Sequence, residues 1–129
     1  MKILNGQINS IIQFLDGLNL KGRESLGRTK LKEKLKAKNE EVTADQVEII
    51  DEFEGWSDKE KGQFVNTNTA MNEAINALLL QESEVEYNSP FKKDFAEALE
   101  NYDGDLSGTD ADMYAVLYDQ LVEENKEQK

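Results

Sequence analysis

Apolar residues recur along most of this chain at intervals of three and four, the spacing that places side chains on one face of an α-helix. A first helix is predicted from about Asn5 to Asp16, with Asn5 as its N-cap and Gly17 suited to ending it. Its apolar face consists of Ile8, Ile11, Ile12 and Leu15. The pattern therefore predicts a helix near the N-terminus that is buried along one side.

The next stretch predicts two helices separated by a break. A lysine-rich second helix starts between Gly22 and Gly27 and ends near Asn39. Its narrow apolar stripe is formed by Leu31 and Leu35. A third helix is predicted to begin at Thr43, where the positions of a capping box and its hydrophobic staple are filled. These positions are Val42, Thr43, Gln46 and Val47.

The second half of the chain predicts three further helices joined by short connections. The helix around Met71–Leu79 has the clearest apolar face in the sequence. Another is predicted to start at Ser89 and Pro90, because proline is favoured at the first position of a helix. The last helix is predicted to begin with Thr109 and Asp112 as a reciprocal cap.

Two segments predict extended structure. Residues 82–87 alternate weakly between polar and apolar, and a small β-hairpin is an alternative to a loop over Gly55–Val65. With 38% hydrophobic residues the chain can bury a modest core. The sequence thus predicts one mainly α domain over residues 1–124, a compact bundle of about five or six short helices, with a frayed tail at 125–129.

Charge is divided unequally along the chain. Residues 1–38 hold 9 basic and 3 acidic residues, a net of +6, whereas residues 39–129 hold 6 basic and 24 acidic residues, a net of −18. The overall charge of −12 argues against direct binding to nucleic acid, since phosphates repel a net anion. It favours a protein that offers carboxylates to a basic partner.

Catalytic chemistry finds little support in the residue types. The chain has no His and no Cys, which excludes thiol nucleophiles, imidazole bases and zinc sites built from these residues. No phosphate-binding loop or Gly-rich dinucleotide turn is present. The chain also lacks a stretch of about 18 apolar residues, so no membrane span is expected. We therefore predict no catalytic residue, no cofactor and a non-enzymatic function.

One acidic turn resembles half of a calcium-binding loop. Asp103–Gly108 supplies acids at positions 1 and 3, an oxygen at position 5 and glycine at position 6 of an EF-hand. Position 9 is Ala111, and position 12, which requires a bidentate Glu, is Tyr114. We therefore interpret the segment as a turn between two helices and predict no metal ligand.

Acidic residues crowd two parts of the sequence, and we predict that their exposed faces bind a partner by imitating the phosphates of nucleic acid. The predicted partner-binding residues are Glu48, Asp51, Glu52, Asp103, Asp105, Asp110 and Asp112. An ordinary solvated acidic surface is the alternative interpretation.

A secondary contact is predicted at the lysine-rich helix and at the single tryptophan. Its residues are Arg28, Lys32, Lys36 and Trp56. The alternative is structural, because lysine stems cover apolar surface while their charged ends remain in water. Trp56 has a corresponding alternative as a local core residue.

Five motifs are distributed along most of the chain: Leu4–Ile8, Leu20–Ser25, Gly27–Lys30, Asn72–Asn76 and Tyr102–Tyr114. They resemble motifs of a family of small proteins from tailed phages and prophages of Gram-positive bacteria, a domain of unknown function. The resemblance implies phage origin, location in the bacterial host cytoplasm and an accessory role. It transfers no functional residue.

Three functions follow as hypotheses. The first is inhibition of a host defence or nucleic-acid-handling protein, as anti-CRISPR proteins do, by acidic faces that occupy a basic nucleic-acid-binding groove. The second is a virion or tail-assembly component that oligomerises, and the third is an enzyme with a carboxylate-bound metal.

Overall fold

A computed structural model describes residues 1–57 and 64–127, with side chains described outside residues 53–57 and 64–69. Strand β1 (Lys2–Leu4) leads through a 3-10 turn (Asn5–Gln7) into helix α1 (Ile8–Asp16). The chain continues through α2 (Gly22–Ser57), α3 (Phe64–Leu79), β2 (Glu82–Glu84), α4 (Lys92–Glu100) and α5 (Gly108–Leu117). A π-helical turn (Tyr118–Val122) joins α5 to α6 (Glu123–Glu127). The mainly α class predicted from the sequence is confirmed.

The core lies where α1, the first half of α2, α4 and the α5 region meet. Leu31 and Leu35 of α2 are fully buried there, as their stripe predicted. The other side chains with at most 1% exposure include Ile3, Ile8, Ile11, Leu15, Phe95, Leu99, Leu117, Leu121 and Val122. The two adjacent buried residues Leu121 and Val122 lie in the π-helical turn.

Residues 22–57 form one continuous helix, so the predicted break between a second and a third helix is wrong. The 36 residues of α2 extend for about 54 Å. No Gly or Pro separates Arg28 from Glu54, and a continuous helix keeps the backbone hydrogen bonds that an N-cap at Thr43 would interrupt. Val42 is buried on the face that carries Leu31 and Leu35, so the core continues across the expected break.

A two-stranded antiparallel sheet is present, but its strands are distant in sequence. Ile3 of β1 is opposite Ser83 of β2, and the Val85 N–H donates to the Met1 carbonyl at 2.7 Å. The extended segment predicted at residues 82–87 thus supplies one strand. The hairpin considered at Gly55–Val65 is not found on its described flanks, since both are helical, and residues 58–63 lie outside the described part.

Three predicted helix starts shift in the structure. Helix α1 begins at Ile8, so the predicted N-cap at Asn5 is wrong, and the Asn5 amide donates to the Leu78 carbonyl at 2.9 Å. The Ser89 hydroxyl accepts a hydrogen bond from the Phe91 N–H at 3.0 Å, and α4 begins at Lys92, just after the predicted position. Helix α5 begins at Gly108, so Thr109 is inside the helix and the predicted cap with Asp112 is wrong. Gly108 has a φ of +57°, a left-handed conformation that favours glycine at this entry point.

Candidate functional site: the acidic arm of helix α2

The second half of α2 carries a dense set of exposed carboxylates. Residues 39–57 contain seven acidic residues and no basic residue. We call the six with described side chains the acidic arm, and all six are exposed: Glu40, Glu41, Asp45, Glu48, Asp51 and Glu52. Of the predicted partner-binding residues, Glu48, Asp51 and Glu52 belong to this arm.

The spacing of the arm places like charges beside one another. Glu41, Asp45 and Glu48 follow at intervals of four and three residues, and Glu48 is followed four residues later by Glu52. Neighbours at these intervals lie on one face of a helix, where like charges repel. The arm also lies toward the C-terminal end of α2, where the helix dipole disfavours negative charge. These electrostatic costs are relieved when a cationic surface binds.

One salt bridge marks the inner end of the arm. The Lys38 Nζ lies 2.8 Å from a carboxylate oxygen of Glu41, one turn further along the helix. Lys38 is the last basic residue of α2. Beyond Glu41, the described carboxylates of α2 are exposed, and no basic residue follows them in this helix.

The other predicted acidic residues form a separate surface, which we call the acidic turn. Asp103 and Asp105 lie in the connection after α4, and Asp110 and Asp112 lie in the first turns of α5, all four exposed. Asp110 is in the first helical turn, where the positive end of the helix dipole stabilises its negative charge. Part of this acidic cluster therefore has a structural role at the start of α5.

The structure does not bring the acidic arm and the acidic turn together. Helix α4, which precedes the turn, contacts the beginning of α2: Arg23 lies 3.5 Å from Asp94, and Gly27 packs against Phe91. Gly27 and Glu48 are 21 residues apart, which is about 32 Å along α2. The acidic arm and the acidic turn are therefore two distinct surfaces.

The predicted basic contact residues are largely engaged within the fold. The Arg28 guanidinium donates to the carbonyls of Leu15 and Leu18 at 3.2 and 2.6 Å and to the Ser25 hydroxyl at 2.9 Å. It thereby caps the C-terminal end of α1, where carbonyls lack helical partners. The structural interpretation of this residue is the better supported one.

Lys32 and Lys36 act on the same end of α1. Lys32 forms a hydrogen-bonded ion pair with Asp16. This hydrogen bond, together with the charges of Lys32, Lys36 and Arg28, lowers the pKa of the Asp16 carboxyl below its usual value. Trp56 lies in the last turn of α2, and its side chain is outside those described.

Two open cavities flank the basic half of α2. One of about 320 Å³ lies between Lys30, Lys34 and the extended segment 86–91, and one of about 330 Å³ lies beside Lys34 and Glu41. Lys30 and Lys34 were not singled out from the sequence, although their spacing of four residues places them on one face.

The described part of the chain offers neither a metal-binding cluster nor a membrane-spanning helix. Among the residues with described side chains, 1–52 and 70–127, no group of acidic residues is arranged to hold a metal ion. No helix in this part of the chain combines the length and apolarity needed to span a membrane. No protein-family model, curated protein or solved structure matches the chain.

Proposed function

We propose that this chain is a non-enzymatic phage accessory protein that binds and inhibits a host defence or nucleic-acid-handling protein. Its acidic arm occupies a basic groove that otherwise holds nucleic acid. The observation that carries the proposal is the exposed carboxylate row of α2, which no basic residue interrupts from Asn39 to Ser57. The phage origin rests on the resemblance of the sequence motifs.

The arm suits this role because of its geometry. Glu41 and Glu52 are separated by 11 residues, about 16 Å along the helix axis, and Asp45 and Glu48 lie between them. Four carboxylates thus follow one line on a rigid helix, as phosphates follow a strand. A rigid row loses little conformational freedom on binding, which favours affinity for a matching row of Lys and Arg.

An affinity pull-down from a Gram-positive bacterial host, with the tagged full-length chain as bait, tests the proposal. We expect a nuclease or another nucleic-acid-binding protein to be captured and to elute at high salt, since exposed ion pairs are screened by salt. Capture of phage tail or capsid proteins instead would contradict the proposal and favour the assembly hypothesis.

Three neutralised variants identify the binding surface. The arm variant carries Glu48→Gln, Asp51→Asn and Glu52→Gln, and we expect it to lose capture of the nucleic-acid-binding protein. A matched control neutralises three exposed acids elsewhere: Glu33→Gln, Glu73→Gln and Asp119→Asn. This control has the same net charge, so retained capture would exclude a general charge effect.

The third variant neutralises the acidic turn at Asp103, Asp105, Asp110 and Asp112. Because the turn is a separate surface, its variant shows whether the partner contacts the arm, the turn or both. If capture survives neutralisation of both surfaces, the acidic-mimic function is wrong. Circular dichroism on each variant verifies that the helical content is unchanged.

A further inference from the structure

Helix α2 changes charge sign at its middle. From Gly22 to Lys38 it carries seven basic and two acidic residues, and from Asn39 to Ser57 it carries seven acidic residues and no basic one. Basic residues at the N-terminal half and acidic residues at the C-terminal half add to the helix dipole instead of opposing it. By sequence, α2 as a whole therefore has a net charge of +5 on one half and −7 on the other.

One exposed stripe of α2 crosses this boundary. Its residues follow at intervals of four, three, four, three and four, which is the spacing of a helix-pairing seam. The stripe consists of Lys30, Lys34, Ala37, Glu41, Ala44 and Glu48, all exposed. It extends for about 27 Å along the flank of α2 that borders residues 84–91, beside the face that buries Leu31, Leu35 and Val42.

We propose that a second copy of this chain packs antiparallel on the exposed stripe of α2. With the twofold axis near Asn39, Lys30 of each copy lies beside Glu48 of the other, and Lys34 lies beside the turn that carries Glu41 and Asp45. A parallel arrangement would place like charges together, so the charge pattern selects the antiparallel one. Such a self-complementary patch is what a twofold interface requires.

The residues in the middle of the stripe allow a second helix to pack closely against α2. Ala37 and Ala44 are small, and small residues let two helix axes come close. The groove of about 330 Å³ beside Lys34, Ala37 and Glu41 provides space for side chains of the incoming helix, and Glu84, Val85 and Glu86 form its other wall.

Glu41 and Glu48 belong to both surfaces, so a dimer would compete with the proposed host partner, but the test uses the purified chain alone. Sedimentation velocity over micromolar to submillimolar protein concentrations measures it. We expect a dimer at about 10 mM salt that dissociates at about 500 mM, as the Debye length falls from roughly 30 Å to less than about 5 Å. A monomer at low salt and the highest concentration would overturn the proposal.

Charge reversal provides the decisive experiment. We expect Lys30→Glu with Lys34→Glu to raise the dimer dissociation constant at least about tenfold, and Glu41→Lys with Glu48→Lys to do the same. When the two variants are mixed in equal amounts, the reversed charges of each variant face opposite charges on the other variant at both ends of the pair. We therefore expect a heterodimer. Failure of the mixture to dimerise would overturn the antiparallel arrangement, and folding of each variant is verified by circular dichroism.

A control of equal charge change uses Lys21→Glu with Lys93→Glu, both exposed and off the stripe. We expect its dissociation constant to equal that of the unmodified chain. An equal loss in this control would assign the effect to net charge and overturn the stripe as the interface.

Discussion

The two halves of α2 belong to one helix but are stabilised in different ways. The N-terminal half buries Gly27, Leu31 and Leu35 against the core and uses Arg28 and Lys32 to hold the end of α1. In the C-terminal half, no described side chain after Val42 is fully buried. Sequence charge alone would present both halves as binding surfaces. The contacts show that Arg28 and Lys32 of the basic half are engaged within the fold, whereas the carboxylates of the acidic arm are exposed.

The largest expected difference between the halves is in core packing. Leu35→Ala should lower the free energy of unfolding by about 2–5 kcal/mol, because it leaves a cavity at a side chain with no exposure. Val47→Ala, at a side chain that is 49% exposed, should change it by less than about 0.5 kcal/mol. Urea unfolding of both variants measures the difference. Similar losses would show that the C-terminal half is as firmly packed as the N-terminal half.

A smaller effect separates the basic residues from one another. Arg28→Ala should lower the free energy of unfolding by about 1–3 kcal/mol, since it removes three hydrogen bonds from a charged donor and leaves carbonyls at the end of α1 unpaired. Lys36→Ala, at an exposed side chain, should cost less than about 0.5 kcal/mol. Urea unfolding again provides the measurement. Equal costs would contradict the capping role of Arg28.

The smallest effect concerns the carboxyl of Asp16. Its pKa is lowered in the folded chain, so the ion pair with Lys32 contributes stability above the unfolded pKa of about 4 and loses that contribution as pH falls through the folded value. NMR titration should show this pKa rising toward its ordinary value in Lys32→Gln. The matched variant Lys34→Gln should leave it unchanged. A rise in both variants would mean that general positive charge, and not the specific pair, lowers the pKa.

Local patterns predicted the parts of the fold that depend on neighbouring residues. The apolar face of α1 and the stripe of Leu31 and Leu35 were recovered because burial follows helical spacing. The capping box at Thr43 predicted a helix start that the structure does not have, because the same residues fit a helix interior when Val42 is buried. The pairing of β1 with β2 has no local signature, because a strand of three residues finds its partner some 80 residues later.

The sequence predicted the exposure of the candidate site's residues, which is a local property, but not the arrangement of its surfaces. Exposure of Glu48, Asp51 and Glu52 follows from their charge, and the structure has all three exposed. Their separation from the acidic turn depends on how α4 packs along α2, which no spacing in the sequence encodes. The role of Arg28 likewise depends on where the end of α1 comes to lie.

The sheet between β1 and β2 has a consequence for how the chain folds during synthesis. Lys2 pairs with Glu84, so the first strand has no partner until more than 80 further residues have been made. At about 5–20 residues per second, this takes roughly 4–16 seconds on the ribosome. Helices α1 and α2 can form in that interval from local contacts, whereas Ile3 waits for residues 82–85. Pairing of the sheet therefore waits for β2, and completion of the core waits longer still, because Phe95, Leu99 and Leu117 are made after both strands.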